Sequence, residues 1–167
     1  YDRGRASTMN LPVPADWVSG PGGIKQDSLT WNERKADYRF VDEFEQIRPL
    51  VVGPNHHERF EYWSNTFRYL RATGIYACTA GEIDRLIKKV KTDSTGDRSQ
   101  YRPQAIDLRT RQMKELQDVF TFLLPTVSTN GELGTIANWQ QHVMTLTVTI
   151  PGREIERLLN TTLPAEC

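Results

Sequence analysis

The sequence predicts an all-α fold, and three observations carry that prediction. Apolar residues recur with the 3.6-residue helical period in successive windows from Phe40 to Leu159. Pro49, Pro54, Pro103, Pro125 and Pro151 fall at the ends of those windows rather than inside them. Only Met144–Ile150 alternates strictly, and a single strand without a partner is not a sheet. Together these predict an antiparallel multi-helix array of about six helices behind an irregular lead-in.

The elements follow in order. Residues 1–35 carry Pro12, Pro14, Pro21, Gly20, Gly22 and Gly23, a density that breaks helices and sheet ladders alike, so they read as an extended lead-in. Trp17 and Trp31 within it are suited to pinning that segment to a domain surface. A helical domain then spans 36–162, with a short tail at 163–167. Phe40, Val41, Phe44 and Ile47 keep a helical period until Pro49, and Asn55 is placed to cap the next helix.

That next helix, Phe60 to Arg71 and on to about Tyr76, is dense in rings and spends them on two faces. Phe60, Trp63, Phe67 and Leu70 form one stripe; Tyr62, Asn65, Tyr69 and Tyr76 form a second. Two stripes imply a helix at the centre of the fold or one with a ligand on its second face. Thr79 and Glu82 have the spacing of a capping box opening a further helix, with Ile83, Leu86, Ile87 and Val90 on its buried face.

Past a polar loop at 92–99, a long helix runs from Pro103 to Pro125 on Ile106, Met113, Leu116, Phe120 and Leu123, with Arg109 inside the same arc. Thr129 and Glu132 cap another, whose face is Leu133, Ile136, Ala137, Gln140 and Met144. Met144–Ile150 reads as helix giving way to extended chain. Pro151 then opens a short helix with Ile155, Leu158 and Leu159.

Length and composition bound the function. A chain of 167 residues suits one domain, large enough to bury a core without disulfides or metal. Its 38% hydrophobic content and mean hydropathy of -0.57 lie on the polar side, yet above what a disordered chain shows. Lys+Arg 21 balances Asp+Glu 21, so there is no net field to gather nucleic acid or an acidic membrane. No apolar run approaches the ~18 residues of a membrane span. The opening Tyr1-Asp-Arg-Gly-Arg reads as a piece of a longer protein, which leaves localisation open. Cys78 and Cys167 have no metal-type or CxxC spacing and are expected as free thiols.

Each candidate for chemistry has a plainer counterpart. Adjacent His56 and His57 point about 100° apart on a helix, with no further ligand nearby in sequence, so no metal or cofactor is expected. Glu58 and Glu61 lie on one helix and cannot easily flank a sugar bond; they suit the helix dipole instead. The tyrosine stripe has the chemistry of a sugar platform, with ring faces for C–H surfaces and an amide for hydroxyls. Helix packing explains it equally well. The segment Val127 to Trp139 has two glycines and a helix N-terminus, but lacks a P-loop lysine and the GxGxxG spacing.

Three stretches, Pro14 to Ile24, Phe60 to Arg71, and Val127 to His142, resemble a helical region of large agarase-like bacterial proteins, enzymes associated with galactan breakdown. The resemblance implies an exported parent acting on polysaccharide. It supplies no catalytic motif, so no catalytic residue is carried over. The expectation is a non-catalytic helical accessory domain that packs on the catalytic module of its parent chain and touches a galactan-type polysaccharide through Tyr62, Trp63, Asn65, Tyr69 and Trp139. One alternative is a structural module that packs on a missing domain or on itself. Another is a self-contained glycoside hydrolase using Glu58 or Glu132.

Overall fold

The computed structural model describes residues 26–164, and among them every regular element is helical. Most of the lead-in, including Trp17, and the last residues, including Cys167, lie outside the described residues. There are four helical rods rather than about six. The first, α1, covers residues 31–46, with a 3-10 turn at Lys35–Tyr38 between two α-helical stretches. The second, α2, is Pro54–Thr92; the third, α3, is Arg102–Leu123. The fourth, α4, covers 130–159, its α-helical ends joined by π-helical turns at Trp139–Val143 and Thr145–Thr149.

The reduction from six to four has two causes. Residues expected as separate helices at 56–76 and from 79 onward fuse into the 39-residue α2, about 58 Å long. Thr79 does not cap a helix, because the chain stays helical through it. Its hydroxyl donates instead to Glu115 Oε1 on α3 at 2.9 Å, and Glu82 pairs with Arg111 of α3 at 2.6 Å. The second fusion runs through Met144–Ile150. This segment is helical, not extended, so its alternating pattern misleads: Val143, Thr147 and Val148 are buried while Thr145, Leu146 and Thr149 face out.

Helix boundaries follow local chemistry where that chemistry is self-contained. Thr129 and Glu132 do form a reciprocal capping box at the start of α4, and Thr30 with Glu33 does the same for α1. Asn55 is not the cap of α2. Gly53, at φ 93°, takes that position and Pro54 occupies the first helical site. At the far end of α4, Asn160 adopts the left-handed conformation at φ 45° and closes the helix. Arg102 of α3 donates to the Leu159 carbonyl there, meeting an acceptor the helix end leaves open.

Consecutive rods run antiparallel, and α2 lies at the centre. Against α1 it places Phe60 on Phe44 with stacked rings 4.7 Å apart, and Phe67 edge-on to Phe40 and Phe44. Against α3 and α4 it builds two apolar clusters. One gathers Ala72, Tyr76, Leu116, Val119, Leu123, Trp139 and Val143; the other gathers Ile83, Leu86, Val90, Leu108, Ile155 and Leu159. On α3 the buried line is Ala105, Leu108, Gln112, Leu116, Val119 and Leu123. It is rotated from the predicted stripe, leaving Ile106 exposed and Met113 and Phe120 half-buried.

Small residues in the middle of α2 let the chain before α1 come close. The Asp27 amide donates to the Ala77 carbonyl at 2.9 Å, and a Cβ on Gly81 would run into the Asp27 carbonyl oxygen. A Cβ on Gly74 would overlap the Tyr38 phenol. Asp27 itself is buried and held by Arg34 through a two-point ion pair, Nε to Oδ2 at 2.8 Å and Nη2 to Oδ1 at 3.1 Å.

Candidate functional site

The predicted tyrosine face is where α2 meets α4. Tyr62, Tyr69 and Tyr76 lie seven residues apart, and each hydroxyl has a partner on α4. Tyr62 donates to Glu132 Oε1 at 2.9 Å. Tyr69 accepts from the Trp139 indole N–H at 2.8 Å, and Tyr76 bonds the Thr147 hydroxyl. The partners rise together in number, so α2 and α4 run parallel.

The steps on the two helices differ: seven and seven on α2, seven and eight on α4. The extra α4 residue falls in the π-helical turns, which fit more residues into each turn than an α-helix does. Side chains of α3 reach carbonyls of this stretch, and Pro151 has no N–H to offer the Thr147 carbonyl four residues before it. Gln112 Nε2 donates to the Thr147 carbonyl at 2.8 Å, and Arg109 donates to the Val148 carbonyl at 3.2 Å. Arg109 therefore stays within the packed arc, its guanidinium lying against Gly152.

The five residues proposed for glycan contact divide accordingly. Trp139 is 1% exposed, with Tyr69, Tyr76 and Phe120 edge-on around its indole, so no face of that ring is open. Tyr69 is half-buried, its hydroxyl deep in the interface, where burial raises its pKa. Tyr62 is half-buried and committed to Glu132; Asn65 is half-buried. Trp63 alone among them is open, 50% exposed, with Tyr62 edge-on at 5.5 Å and Phe67 at 5.8 Å. The fold thus brings Tyr62 and Trp63 together at the surface and separates both from Trp139.

The acidic candidates also separate. Glu58 is exposed on the first turns of α2 beside exposed His56 and His57. Glu132 accepts from the Ser128 amide at 2.6 Å, the Ser128 hydroxyl, the Thr129 amide and Tyr62. Those donors, the Ser128 amide foremost, hold its pKa down to about 2, so it carries no proton to give near neutral pH. No group of three or more His, Cys, Asp or Glu side chains among the described residues has metal-site geometry.

Sequence reasoning missed Glu115. Its carboxyl is buried between α2 and α3, Oε1 accepts from Thr79, and Oε2 has no hydrogen-bond partner. Burial raises its pKa to about 7 despite the Thr79 bond and nearby Arg111. The same burial pushes the adjacent Cys78 thiol up to about 12, leaving it a small apolar side chain in practice. Glu115 was invisible in sequence because an acid on a long helix reads as surface unless its neighbours are known.

One further surface stands out. Met113, Leu116, Gln117, Phe120 and Thr121 of α3, Leu124 in the turn just after it and Met144 of α4 line an open groove of about 510 Å³, with Leu124 55% exposed at its edge. Its lining is mostly apolar, and thioether and aromatic side chains adapt readily to a partner. No helix among the described residues is long and apolar enough to cross a membrane. Comparison with protein families, with curated proteins and with solved structures gives no match for this chain.

Proposed function

We propose that this chain is a non-catalytic helical module that packs through the α3–α4 groove onto another domain of its parent protein. The observation that carries this reading is a contrast between two surfaces. The polar groups that would serve a ligand, on Tyr62, Tyr69, Trp139 and Glu132, already have partners, in contacts between α2 and α4 and in the cap at the start of α4. The groove around Phe120, Leu124 and Met144 offers apolar area with little polar competition. The resemblance to agarase-like proteins supports a polysaccharide-degrading parent, in which the covering domain is the catalytic module.

Trp63 favours a second reading, direct glycan contact. A half-exposed indole beside a tyrosine edge is the one part of the proposed platform that remains open.

Sedimentation of the purified chain at rising concentration, with titration by agar-type oligosaccharides, tests both. The packing module predicts weak self-association, relieved by Leu124→Glu together with Met144→Glu, and no saturable sugar binding. A chain that stays monodisperse and binds oligosaccharide saturably, with loss on Trp63→Ala, overturns the first reading and establishes the second.

A further inference from the structure

We propose that a second groove, between the start of α1, α2 and the start of α3, binds a phosphate- or sulfate-type oxyanion through Arg85, Lys89 and Gln104. The proposal does not rest on the packing role of the α3–α4 groove, which lies toward the other end of α3.

Thr30, Glu82, Arg85, Leu86, Lys89 and Gln104 line this groove, which has a volume of about 280 Å³. Arg85 and Lys89 stand four residues apart on α2, so their Cβ atoms lie ~5–6 Å apart on neighbouring turns. Two like charges at that spacing destabilise a helix unless a counter-charge meets them. Among the described residues neither side chain has an ion-pair partner. On the same helix Arg68, Arg71, Lys88 and Lys91 each have a carboxylate.

The acids nearby are already engaged. Glu82 pairs with Arg111 of α3 at 2.6 Å. Glu33, whose charge Arg85 also feels, closes the cap of α1, accepting from the Thr30 amide at 2.8 Å and the Thr30 hydroxyl at 2.7 Å. Arg85 gives an N–H on Nη1 to the Ser28 carbonyl at 3.0 Å, which leaves its Nε and Nη2 hydrogens for a ligand. The Lys89 ammonium lies over the Tyr101 ring, 5.3 Å from its centroid, a contact that positions the charge without using a hydrogen-bond acceptor. Gln104, exposed on α3, makes no side-chain hydrogen bond among the described residues, and its amide adds a neutral donor from the facing helix.

Guanidinium, ammonium and amide are the donors that a phosphate or sulfate group takes, because it offers a strong acceptor oxygen to each of them. A carboxylate has fewer oxygens and less charge, so it is the weaker ligand here. Leu86, 3% exposed, adds an apolar wall, beside which such contacts are screened less than on open surface. Because Arg85 also holds Ser28, a bound anion ties the start of α1 to α2 and α3 at once.

Titration of the full chain with sodium sulfate and sodium phosphate, at an ionic strength held constant with sodium chloride and followed by heteronuclear NMR, tests this. The Arg85 Nε–H, the Gln104 side-chain amide and the Thr30 backbone amide should shift together and saturate, with acetate weaker by about tenfold. Lys89→Gln should weaken sulfate by roughly tenfold while the rest of the spectrum holds, and Gln104→Glu should abolish binding. Arg153→Gln, which removes an exposed cation on α4, should change nothing. No shift, or an unsaturating drift at many Arg and Lys signals, would overturn the proposal. So would saturable binding that survives both Lys89→Gln and Gln104→Glu, because the anion would then sit elsewhere.

Discussion

Thr79 and Glu115 face each other across the α2–α3 interface, the hydroxyl donating to one carboxyl oxygen at 2.9 Å while the other oxygen stays buried without a partner. A carboxyl held this way is favoured in its neutral form. Its folded pKa of about 7 lies above the ordinary glutamate value of 4.5, so the folded state keeps a proton that the unfolded chain gives up. The stabilisation is complete below pH 4.5 and is lost as pH rises to 7. The difference between the two limits is roughly 3 kcal/mol. Urea unfolding at pH 5 and pH 8 should show lower stability at the higher pH, and Glu115→Gln should flatten that slope.

Three glycines predict opposite signs. Gly81→Ala forces a methyl into the Asp27 carbonyl, and Gly74→Ala forces one into the Tyr38 ring, so both should destabilise and loosen the α1 side of the fold. Gly134→Ala, on α4 with nothing near its added methyl, should instead stabilise by about 0.5–1 kcal/mol through better helix propensity. Thermal melts of the three single variants check the ranking.

The tyrosine contacts should not be equal. Tyr69→Phe leaves the buried Trp139 N–H without its acceptor, a loss of about 1–3 kcal/mol. Tyr76→Phe should cost less, because Thr147 still donates to the Val143 carbonyl. Trp139→Ala should cost about 3–5 kcal/mol, as expected for a fully buried ring, with Trp63→Ala far milder. Chemical denaturation of the four variants gives the order directly.

What was legible in the sequence was whatever depended on near neighbours. The all-α class and the Thr129–Glu132 box at the start of α4 follow from spacing alone. The two ring-bearing stripes on residues 60–76 correctly imply a helix with neighbours on both faces, which is the place of α2. Thr79 and Glu82 carry the same spacing as a real box, yet serve α3, because a box caps only where the preceding turn is broken. Gly81 looks like a helix breaker until Asp27 is seen against it. Trp139, proposed for a glycan, became core because the π-helical turns after it set the α4 register, and no sequence period signals them.

The π-helical turns also give α4 slack in its length. Between Trp139 and Thr147 the helix holds one residue more than the facing segment of α2 requires. Deleting exposed Leu146 would let this stretch relax toward the tighter α-helical pitch while Trp139 and Ile155 keep their places. Removing Ile75 from α2 has no such outlet and would swing every later side chain by about 100°. The two rods thus differ in tolerance: α4 can absorb a change in chain length at its centre, and α2 cannot.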